Sequence, residues 1–223
     1  MPVKFFRRRK AGPEVHVEDA VAQSVRNLFG AGYPLWTAGS LPIGAGRPDL
    51  VVVSCQRRIR SLANVEQPAA HILAYLRLAG RARPQTISGR TGDSVNVVIR
   101  RLRQLCRAKA VQVAADVYAL APAWRDILPD IITIEVKVTN WRKAVAQAGR
   151  NRIFSHRSFV AFPETIAVRV RQEQVLSKLG LGVLGVNERG EVRVLRRARQ
   201  RKPRVWTYYY QLAETVATYC TEA

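Results

Sequence analysis

The spacing of apolar residues predicts that the chain opens with a helix followed by a buried strand. Apolar side chains recur every three or four residues between Val17 and Leu28, and Gly30 and Gly32 are expected to end this helix. A turn rich in glycine and proline then leads into residues 49–54. Their run of β-branched side chains is typical of a buried strand.

A second set of elements begins near residue 130, where apolar and polar side chains alternate up to residue 138. This alternation predicts a strand with two different faces. Beyond it, the pattern predicts a helix over 138–156, a strand over 158–163, a helix ending at Gly180, and two strands joined by a turn at 187–190. Helices and strands in this order predict an α/β or α+β core.

The segment between these two sets has a pattern of its own. It predicts a helix over 69–80, a polar segment over 84–93, an amphipathic helix over 94–109 with Asp93 or Ser94 as N-cap, and a hairpin around Asp116. We therefore expect a small domain inserted into the core. The expected divisions are a basic N-terminal arm (1–13), a discontinuous core (14–59 and 124–195), the inserted domain (60–123), and a basic, aromatic C-terminal tail with a helix (196–223).

Charge is the feature of the composition that suggests a partner. The 223 residues include 37 Lys and Arg against 16 Asp and Glu, a formal net charge of +21. A compact protein with this charge repels itself unless it meets a polyanion. Nucleic acid is the leading candidate and anionic lipid is second. Most of the cations are arginine, whose forked guanidinium group suits phosphate and guanine.

Other features exclude several classes of protein. The apolar runs are too short to span a bilayer, and the N-terminus has no signal-peptide pattern, so we expect no membrane association. The three cysteines are widely spaced and odd in number, which fits neither a zinc site nor a disulfide framework. We expect a cytoplasmic protein in a reducing environment.

Three charged residues form a candidate catalytic group. In a strand over 130–138, Glu135 and Lys137 lie on the same face, although a strand that shows its polar face to water would have the same pattern. Asp49 opens the earlier strand, and the two carboxylates can converge if the strands are neighbours. Two close carboxylates repel unless a cation lies between them. Mg²⁺ suits that position because it prefers oxygen ligands.

These motifs resemble those of the PD-(D/E)XK nucleases, the restriction-endonuclease-like superfamily. The first motif reads Arg47-Pro48-Asp49 and the second Glu135-Val136-Lys137. The resemblance covers residues 14–56 and about 128–195, and it implies a mixed sheet flanked by helices. The two motifs are 135 − 49 = 86 residues apart, more than compact members need. The inserted domain accounts for the excess if its ends lie close together.

The resemblance also implies a role for each motif residue. Asp49 and Glu135 would bind Mg²⁺, for which Mn²⁺ would substitute, together with the backbone carbonyl of Val136. Lys137 would position the attacking water. The reaction would be metal-dependent hydrolysis of phosphodiester bonds.

Two further residues match positions that many family members use. Glu18 in the opening helix would supply a carboxylate that either supports the metal ligands from outside or binds a second metal ion. Gln147 in the helix after the second motif would orient water or phosphate. Each has an ordinary alternative: acids are favoured near helix N-termini, and Gln147 could be a solvated helix residue.

The inserted segment resembles a winged helix-turn-helix, with residues 94–109 as the recognition helix and 111–120 as the wing. Residues 56–124 carry twelve cations against three acids, a net charge of +9, which favours nucleic acid over a protein partner. The resemblance implies base or phosphate contacts from one group of polar and basic side chains. This group comprises Arg90, Ser94, Asn96, Arg100, Arg101 and Arg103.

The combined expectation is a Mg²⁺-dependent DNA endonuclease whose inserted winged helix docks the DNA. The alternative is a DNA-binding regulatory protein on an inactive nuclease scaffold. An RNA-binding protein is less favoured because few aromatic residues flank the basic runs. Cleavage of both strands of a duplex would call for a homodimer, because one site faces one phosphodiester bond.

Overall fold

The computed structural model describes residues 3–9, 11–30, 32–44, 46–65 and 69–220. The chain divides into two compact units. The first is formed by Met1–Cys55 and Asp130–Arg204, and the second by Gln56–Pro129 and Val205–Ala223. Parts of the predicted arm (1, 2 and 10) and tail (221–223) lie outside the described residues. Within that description, no helix has the length and apolar character needed to cross a bilayer.

The helices and strands follow the chain in an order that crosses between the units three times. The elements are β1 (Lys4–Phe5), α1 (Pro13–Phe29), β2 (Leu35–Gly39), β3 (Leu50–Ser54), a 3₁₀ helix (Arg57–Asn64), α2 (Ala70–Ala79), β4 (Arg81–Ala82), α3 (Pro84–Thr91), α4 (Val95–Arg107), β5 (Val111–Ala114), β6 (Val117–Leu120), a 3₁₀ turn (Pro122–Trp124), β7 (Asp130–Val136), α5 (Trp141–Asn151), β8 (Arg157–Pro163), α6 (Glu164–Val170), α7 (Gln174–Leu179), β9 (Gly182–Val186), β10 (Val192–Arg196) and α8 (Trp206–Cys220).

The first unit is built on a seven-stranded mixed sheet of order β1-β2-β3-β7-β8-β9-β10. The strands β2, β3 and β7 pair antiparallel, whereas β7, β8 and β9 pair parallel and β10 returns antiparallel to β9. The chain is thus an α/β protein with a mixed sheet flanked by helices, as predicted, together with a small second sheet.

Alternating side chains of the central strands serve two separate cores. On one face, Val17, Val21 and Val25 of α1 pack with Ile132 and Ile134. The other face supplies residues such as Val160, Phe162 and Val183, which are covered by α5, α6 and α7. Because both faces are covered, the polar face of β7 lies inside the protein and not against water. The alternative of a strand with a solvated face is therefore wrong here.

Two strands of this sheet were not predicted from the sequence. Within the predicted N-terminal arm, Lys4–Phe5 forms β1 and pairs parallel with β2. Strand β2 pairs along its whole length with β3. It is short and contains Ala38 and Gly39, so it lacks the β-branched run that marks β3.

Near the end of the unit, two short helices replace the one predicted, and the second ends at Gly180, whose φ of 65° is left-handed.

The second unit joins helices to a three-stranded antiparallel sheet of order β4-β6-β5. The predicted hairpin is present, with Ala115 and Asp116 at positive φ in its turn. Ser94 caps α4 by accepting a hydrogen bond from Val97 N at 3.4 Å.

The C-terminal helix belongs to the second unit. The Tyr209 hydroxyl accepts from Leu128 N at 2.9 Å, and a Glu214 carboxylate oxygen accepts from Ala69 N at 2.6 Å. The Arg77 guanidinium stacks 3.5 Å from the centre of the Trp206 ring. The helix in the predicted tail therefore completes this unit, while residues up to Arg204 belong to the first.

Candidate functional site

The pairing of β3 with β7 brings the two motif carboxylates together. Leu50 pairs with Ile134 and Val51 with Thr133, so extending the register by one residue sets Asp49 opposite Glu135. Opposed residues of an antiparallel pair direct their side chains to the same side. Asp49 Oδ2 also accepts a hydrogen bond from Val136 N at 2.7 Å. The expected convergence of residues 86 positions apart thus follows from strand register.

Glu135 is a buried carboxylate with one oxygen satisfied and one open. Its exposed fraction is 1%. Oε1 accepts a hydrogen bond from Asn151 Nδ2 at 2.7 Å, whereas the buried Oε2 has no hydrogen-bond partner among the described residues. A buried acceptor without a donor is unfavourable by about 1–3 kcal/mol, and by more for a charged group. The site therefore favours a cation or a hydrogen-bond donor at Oε2.

The Lys137 ammonium group lies beside the same carboxylates. Nζ donates to the Val136 carbonyl at 2.6 Å and to Glu14 Oε2 at 3.2 Å, and it lies 3.6 Å from Asp49 Oδ2. Burial opposes its charge, but the charges of Asp49 and Glu14 outweigh burial and raise the pKa of Lys137 above its usual value. Lys137 is therefore held as a cation.

Glu18 projects from α1 toward Asp49 and not toward solvent. It is only 8% exposed, and Oε2 lies 3.9 Å from the Arg9 guanidinium. Burial, and then the charge of Asp49, raise the pKa of Glu18 to about 7. The first turn of α1 instead carries Glu14. Glu18 thus differs from an exposed acid that merely complements the helix dipole.

Gln147 lies on α5 with its amide oxygen buried. Oε1 has no hydrogen-bond partner among the described residues. Gln147 and Asn151 are four residues apart on one helix, so they share a face, and Asn151 contacts Glu135. The structure thus directs a second open acceptor to the face of α5 that contacts Glu135, which is unlike a solvated helix residue.

Burial raises the pKa of both motif acids above their usual values. Burial, followed by the charge of Asp49, raises the pKa of Glu135 to about 8. Burial also raises the pKa of Asp49, and the hydrogen bond from Val136 N only partly opposes it. A divalent cation at this position would favour the ionised forms and displace protons.

Two residues of this cluster, Glu14 and Asn151, were missed by the sequence reasoning. Glu14 binds the Lys137 ammonium, and Asn151 holds Glu135. The spacing of residues along each helix could have identified both. Glu14 lies four residues before Glu18, and Asn151 lies four residues after Gln147, so each shares a helix face with a residue that was selected.

The oxygen donors fit a hard divalent cation. Asp49, Glu135 and the Val136 carbonyl are all oxygen ligands, and Mg²⁺ commonly binds one or two carboxylates while it keeps several waters. The open acceptors on Glu135 and Gln147 are atoms that such a cation and its waters would satisfy. Within the described part of the chain, no group of three or more His, Cys, Asp or Glu side chains is arranged to hold a metal ion.

The second unit presents most of the predicted nucleic-acid contacts to solvent. Arg90 at the end of α3 and Asn96, Arg100 and Arg103 on α4 are exposed. Ser94 is exposed as well, although its hydroxyl already caps the helix. These exposed residues lie at the end of α3 and along α4.

Arg101 differs from the other predicted contacts because its side chain is directed inward. It is only 13% exposed, pairs with Asp93, and lies 3.1 Å from His71 Nε2. His71 Nε2 also lies 2.6 Å from Asp93 Oδ2. Although burial acts against it, the hydrogen bond from His71 and the charge of Arg101 lower the pKa of Asp93. Arg101 therefore joins elements within the second unit and does not face a partner.

The site thus combines the buried carboxylate of Glu135, the half-buried carboxylate of Asp49, a paired lysine and two open acceptors. Comparisons of the chain with protein-family models, with curated proteins and with solved structures found no match.

The raised pKa values predict that the folded protein loses stability as pH rises. Between about pH 5 and pH 8 the folded state holds protons on Glu135 and Glu18 that the unfolded state has released. The free energy of unfolding therefore falls with pH, by about 1.4 kcal/mol per unit for each proton of difference, and levels off above pH 8. The midpoint of urea unfolding, measured in EDTA from pH 5 to 9, checks this.

Glu135→Gln should flatten this dependence because it removes one of the titrating groups. Glu188→Gln is the matched control, since Glu188 is an exposed acid in the turn before β10, and it should leave the dependence unchanged. Equal slopes in the parent protein and in Glu135→Gln would contradict the account of Glu135.

Proposed function

We propose that the chain is a Mg²⁺-dependent DNA endonuclease of the PD-(D/E)XK type. The observation that carries this proposal is the open Glu135 Oε2, buried beside Asp49 and within the electrostatic reach of Lys137. A folded protein does not usually leave a carboxylate oxygen buried without a partner. A metal-dependent site provides a reason for this arrangement.

Asp49, Glu135 and the Val136 carbonyl would hold the ion, with Mn²⁺ able to replace Mg²⁺. The bound ion would neutralise charge on the phosphate and lower the pKa of a bound water. The Val136 carbonyl also accepts a hydrogen bond from Lys137, and its second lone pair would remain for the ion.

Lys137 would act as a cation and not as a base. Its pKa is raised by Asp49 and Glu14, so the ammonium stays protonated at neutral pH. In that form it can donate hydrogen bonds to an attacking water or to a phosphate oxygen and can stabilise developing negative charge. Glu14 would hold it in reach of the site.

Glu18 and Gln147 would assist from the two helices that flank the sheet. Gln147 has an open buried acceptor that can orient a water. Glu18, which interacts electrostatically with both Asp49 and Lys137, would add a third carboxylate on the α1 side of the site. Both positions agree with the roles implied by the resemblance.

The fold supports the same family. In the first unit, β3 and β7 carry the two motifs, α5 follows the second motif, and β8 lies parallel to β7. This order of helix, strands, helix and strand is the one the PD-(D/E)XK resemblance implies. In the second unit, three helices are followed by a hairpin, with β4 completing a three-stranded antiparallel sheet. We infer a winged helix from this order.

DNA docking is assigned to the exposed residues of this winged helix. Arg90, Arg100 and Arg103 provide charge for phosphate or guanine, and Asn96 can pair with adenine. Arg101 is left out of this set because it is paired with Asp93.

Substitutions at the carboxylates and the lysine should separate cleavage from binding. Glu135→Gln and Lys137→Met should each lower Mg²⁺-dependent cleavage of plasmid, linear or single-stranded DNA by at least ~100-fold. The first removes a ligand charge that would hold the ion, and the second removes the positive charge beside the reacting phosphate. DNA affinity in EDTA should stay within about threefold of the parent value.

Glu188→Gln and Lys178→Gln are the matched controls, since both residues are exposed on the first unit and neither is part of the site. Both controls should cleave like the parent. Undiminished cleavage by Glu135→Gln and Lys137→Met would refute the site. A parent protein that binds DNA but cleaves no substrate with Mg²⁺ or Mn²⁺ would favour a DNA-binding regulator on an inactive scaffold.

The docking surface should be visible in the salt dependence of DNA binding. Removing two phosphate contacts with Arg90→Gln and Arg100→Gln should lower the slope of log K against log salt by ~1 to 2. Arg57→Gln with Arg58→Gln removes the same charge from exposed positions on the 3₁₀ helix of this unit and should change the slope less. Equal slopes for the two double variants would show that the winged helix does not dock the DNA.

A further inference from the structure

A second basic region lies in the first unit, on the segment that follows β10. Its backbone is held in place by three hydrogen bonds to the neighbouring loops. Arg199 N donates to Gly180 O at 3.0 Å, Arg201 N to His156 O at 3.0 Å, and Arg204 N to Ile153 O at 2.8 Å. The segment is therefore a fixed part of the unit and not a loose basic tail.

The guanidinium groups on this segment are exposed and close to a further arginine. Arg197, Arg199, Arg201 and Arg204 are exposed, and we call them, together with Arg152, the arginine track. Arg152 lies at the end of α5 and donates to Gly180 O at 2.6 Å and to Leu179 O. Burial, followed by the charges of Arg201, Arg204 and Arg199, lowers the pKa of Arg152. These four charges therefore act on one another.

The arginines of the track have no acidic partner in the part of the chain that the structure describes. None of the five forms an ion pair with Asp or Glu there, whereas Arg9 pairs with two acids and Arg77, Arg101 and Arg157 with one each. Clustered like charges are unfavourable unless an anion binds them. Backbone hydrogen bonds hold the segment in place, so the repulsion between these arginines cannot be relieved by a shift of the backbone.

The chemistry of the track favours nucleic acid over a lipid surface. Apart from the exposed Lys202, the cations of residues 197–204 are arginines, whose planar fork matches phosphate oxygens in pairs. Residues 197–204 contain no large apolar side chain that could enter a bilayer. In an extended segment, alternate residues such as 197, 199 and 201 are ~7 Å apart. This spacing is comparable with that of successive phosphates along one strand.

We propose that the arginine track is a second nucleic-acid-binding surface, which binds the phosphate backbone independently of the winged helix. It provides affinity without base specificity, because contacts to phosphate oxygens fix the position of the protein but do not distinguish one base from another.

The track lies near the opposite end of the central strands from the carboxylates. Arg201 bonds to His156, and His156 Nδ1 accepts from Ile131 N at 3.0 Å near the start of β7. Glu135 is four residues further along β7, which corresponds to ~13 Å. The track would therefore contact phosphates about two nucleotides away from the reacting one. This inference rests on the proposed function only for the choice of DNA as the probe.

The test compares two quadruple variants of the full chain that lose the same charge. The track variant carries Arg197→Gln, Arg199→Gln, Arg201→Gln and Arg204→Gln. The control variant carries Arg26→Gln, Arg169→Gln, Lys178→Gln and Arg189→Gln, four exposed cations on the same unit. Binding to a 30-base-pair duplex and to one of its strands is measured in EDTA at several salt concentrations. Circular dichroism and the unfolding midpoint show that each variant is folded.

The track variant should lower the slope of log K against log salt by about 3, since each lost phosphate contact removes ~0.7–0.9. The control variant should lower it by less than about 1. A slope loss that is equal in the two variants, or absent in the track variant, would overturn the inference. So would loss of binding to phosphatidylglycerol vesicles with unchanged DNA binding, which would assign the track to a membrane surface.

The outcome is distinguishable from failure of the proposed function. Binding in EDTA does not require cleavage, so a parent protein that never cleaves DNA can still show the slope loss. In that case the track stands and the nuclease proposal fails. A parent protein that cleaves DNA, paired with an unchanged slope in the track variant, leaves the nuclease proposal standing and removes the track.

Discussion

The antiparallel pairing of β3 with β7 holds two carboxyl groups side by side and largely out of water. Asp49 and Glu135 repel each other when both are ionised, and burial makes each charge less favourable still. The sheet nevertheless maintains their approach, because the register is fixed by five paired residues on each strand. The rest of the site can be understood as a response to this constraint. The hydrogen bond from Val136 N, the amide of Asn151 and the ammonium of Lys137 each stabilise one of the two groups.

These interactions do not provide every buried oxygen of the site with a hydrogen-bond donor. Glu135 keeps one oxygen and Gln147 keeps its amide oxygen without a donor among the described residues. By contrast, the polar groups deeper in the same sheet are satisfied: Thr133 donates to Ser158, and Ser158 donates to the Ala148 carbonyl at 2.9 Å. Among the described residues, the buried side-chain oxygens that lack a donor are thus those of Glu135 and Gln147, on the elements that carry the candidate site. Buried polar atoms without a partner are uncommon in folded proteins, so they support the proposal of a cation or a polar substrate at this position.

Much of this site could be predicted from the sequence, because its main residues begin a strand or alternate along one. Asp49 begins a β-branched strand, and Glu135 and Lys137 alternate on another, so their faces followed from strand geometry. What local pattern could not show was which strands are neighbours. Strand β2 has too few β-branched residues to be recognised, and Lys4–Phe5 was included in a basic arm although it pairs with β2. The partners Glu14 and Asn151 depend on tertiary contacts, although helical spacing pointed to both.

The inward direction of Arg101 illustrates a limit of reading a basic helix by charge alone. Val98, Leu102 and Leu105 form the buried face of α4, and Arg101 is three residues after Val98 and four before Leu105. It therefore borders the apolar face, where His71 and Asp93 bind it. Arg100 and Arg103 lie on exposed parts of the same helix. Arginines that look equivalent in the composition of the helix therefore differ in exposure, because they lie at different positions relative to the core.

The central claim is that the paired carboxylates of Asp49 and Glu135 are built to hold a divalent cation. Calorimetric titration of the full chain with Mn²⁺ at pH 7.5, repeated in two buffers of different ionisation enthalpy, tests this most directly. The account predicts binding of an ion with release of about one proton, because the pKa of Glu135 is raised to about 8 in its absence. Binding and proton release should both be lost in Asp49→Asn and Glu135→Gln. Mn²⁺ binding that is absent from the parent protein, or the same in all three proteins, would contradict it.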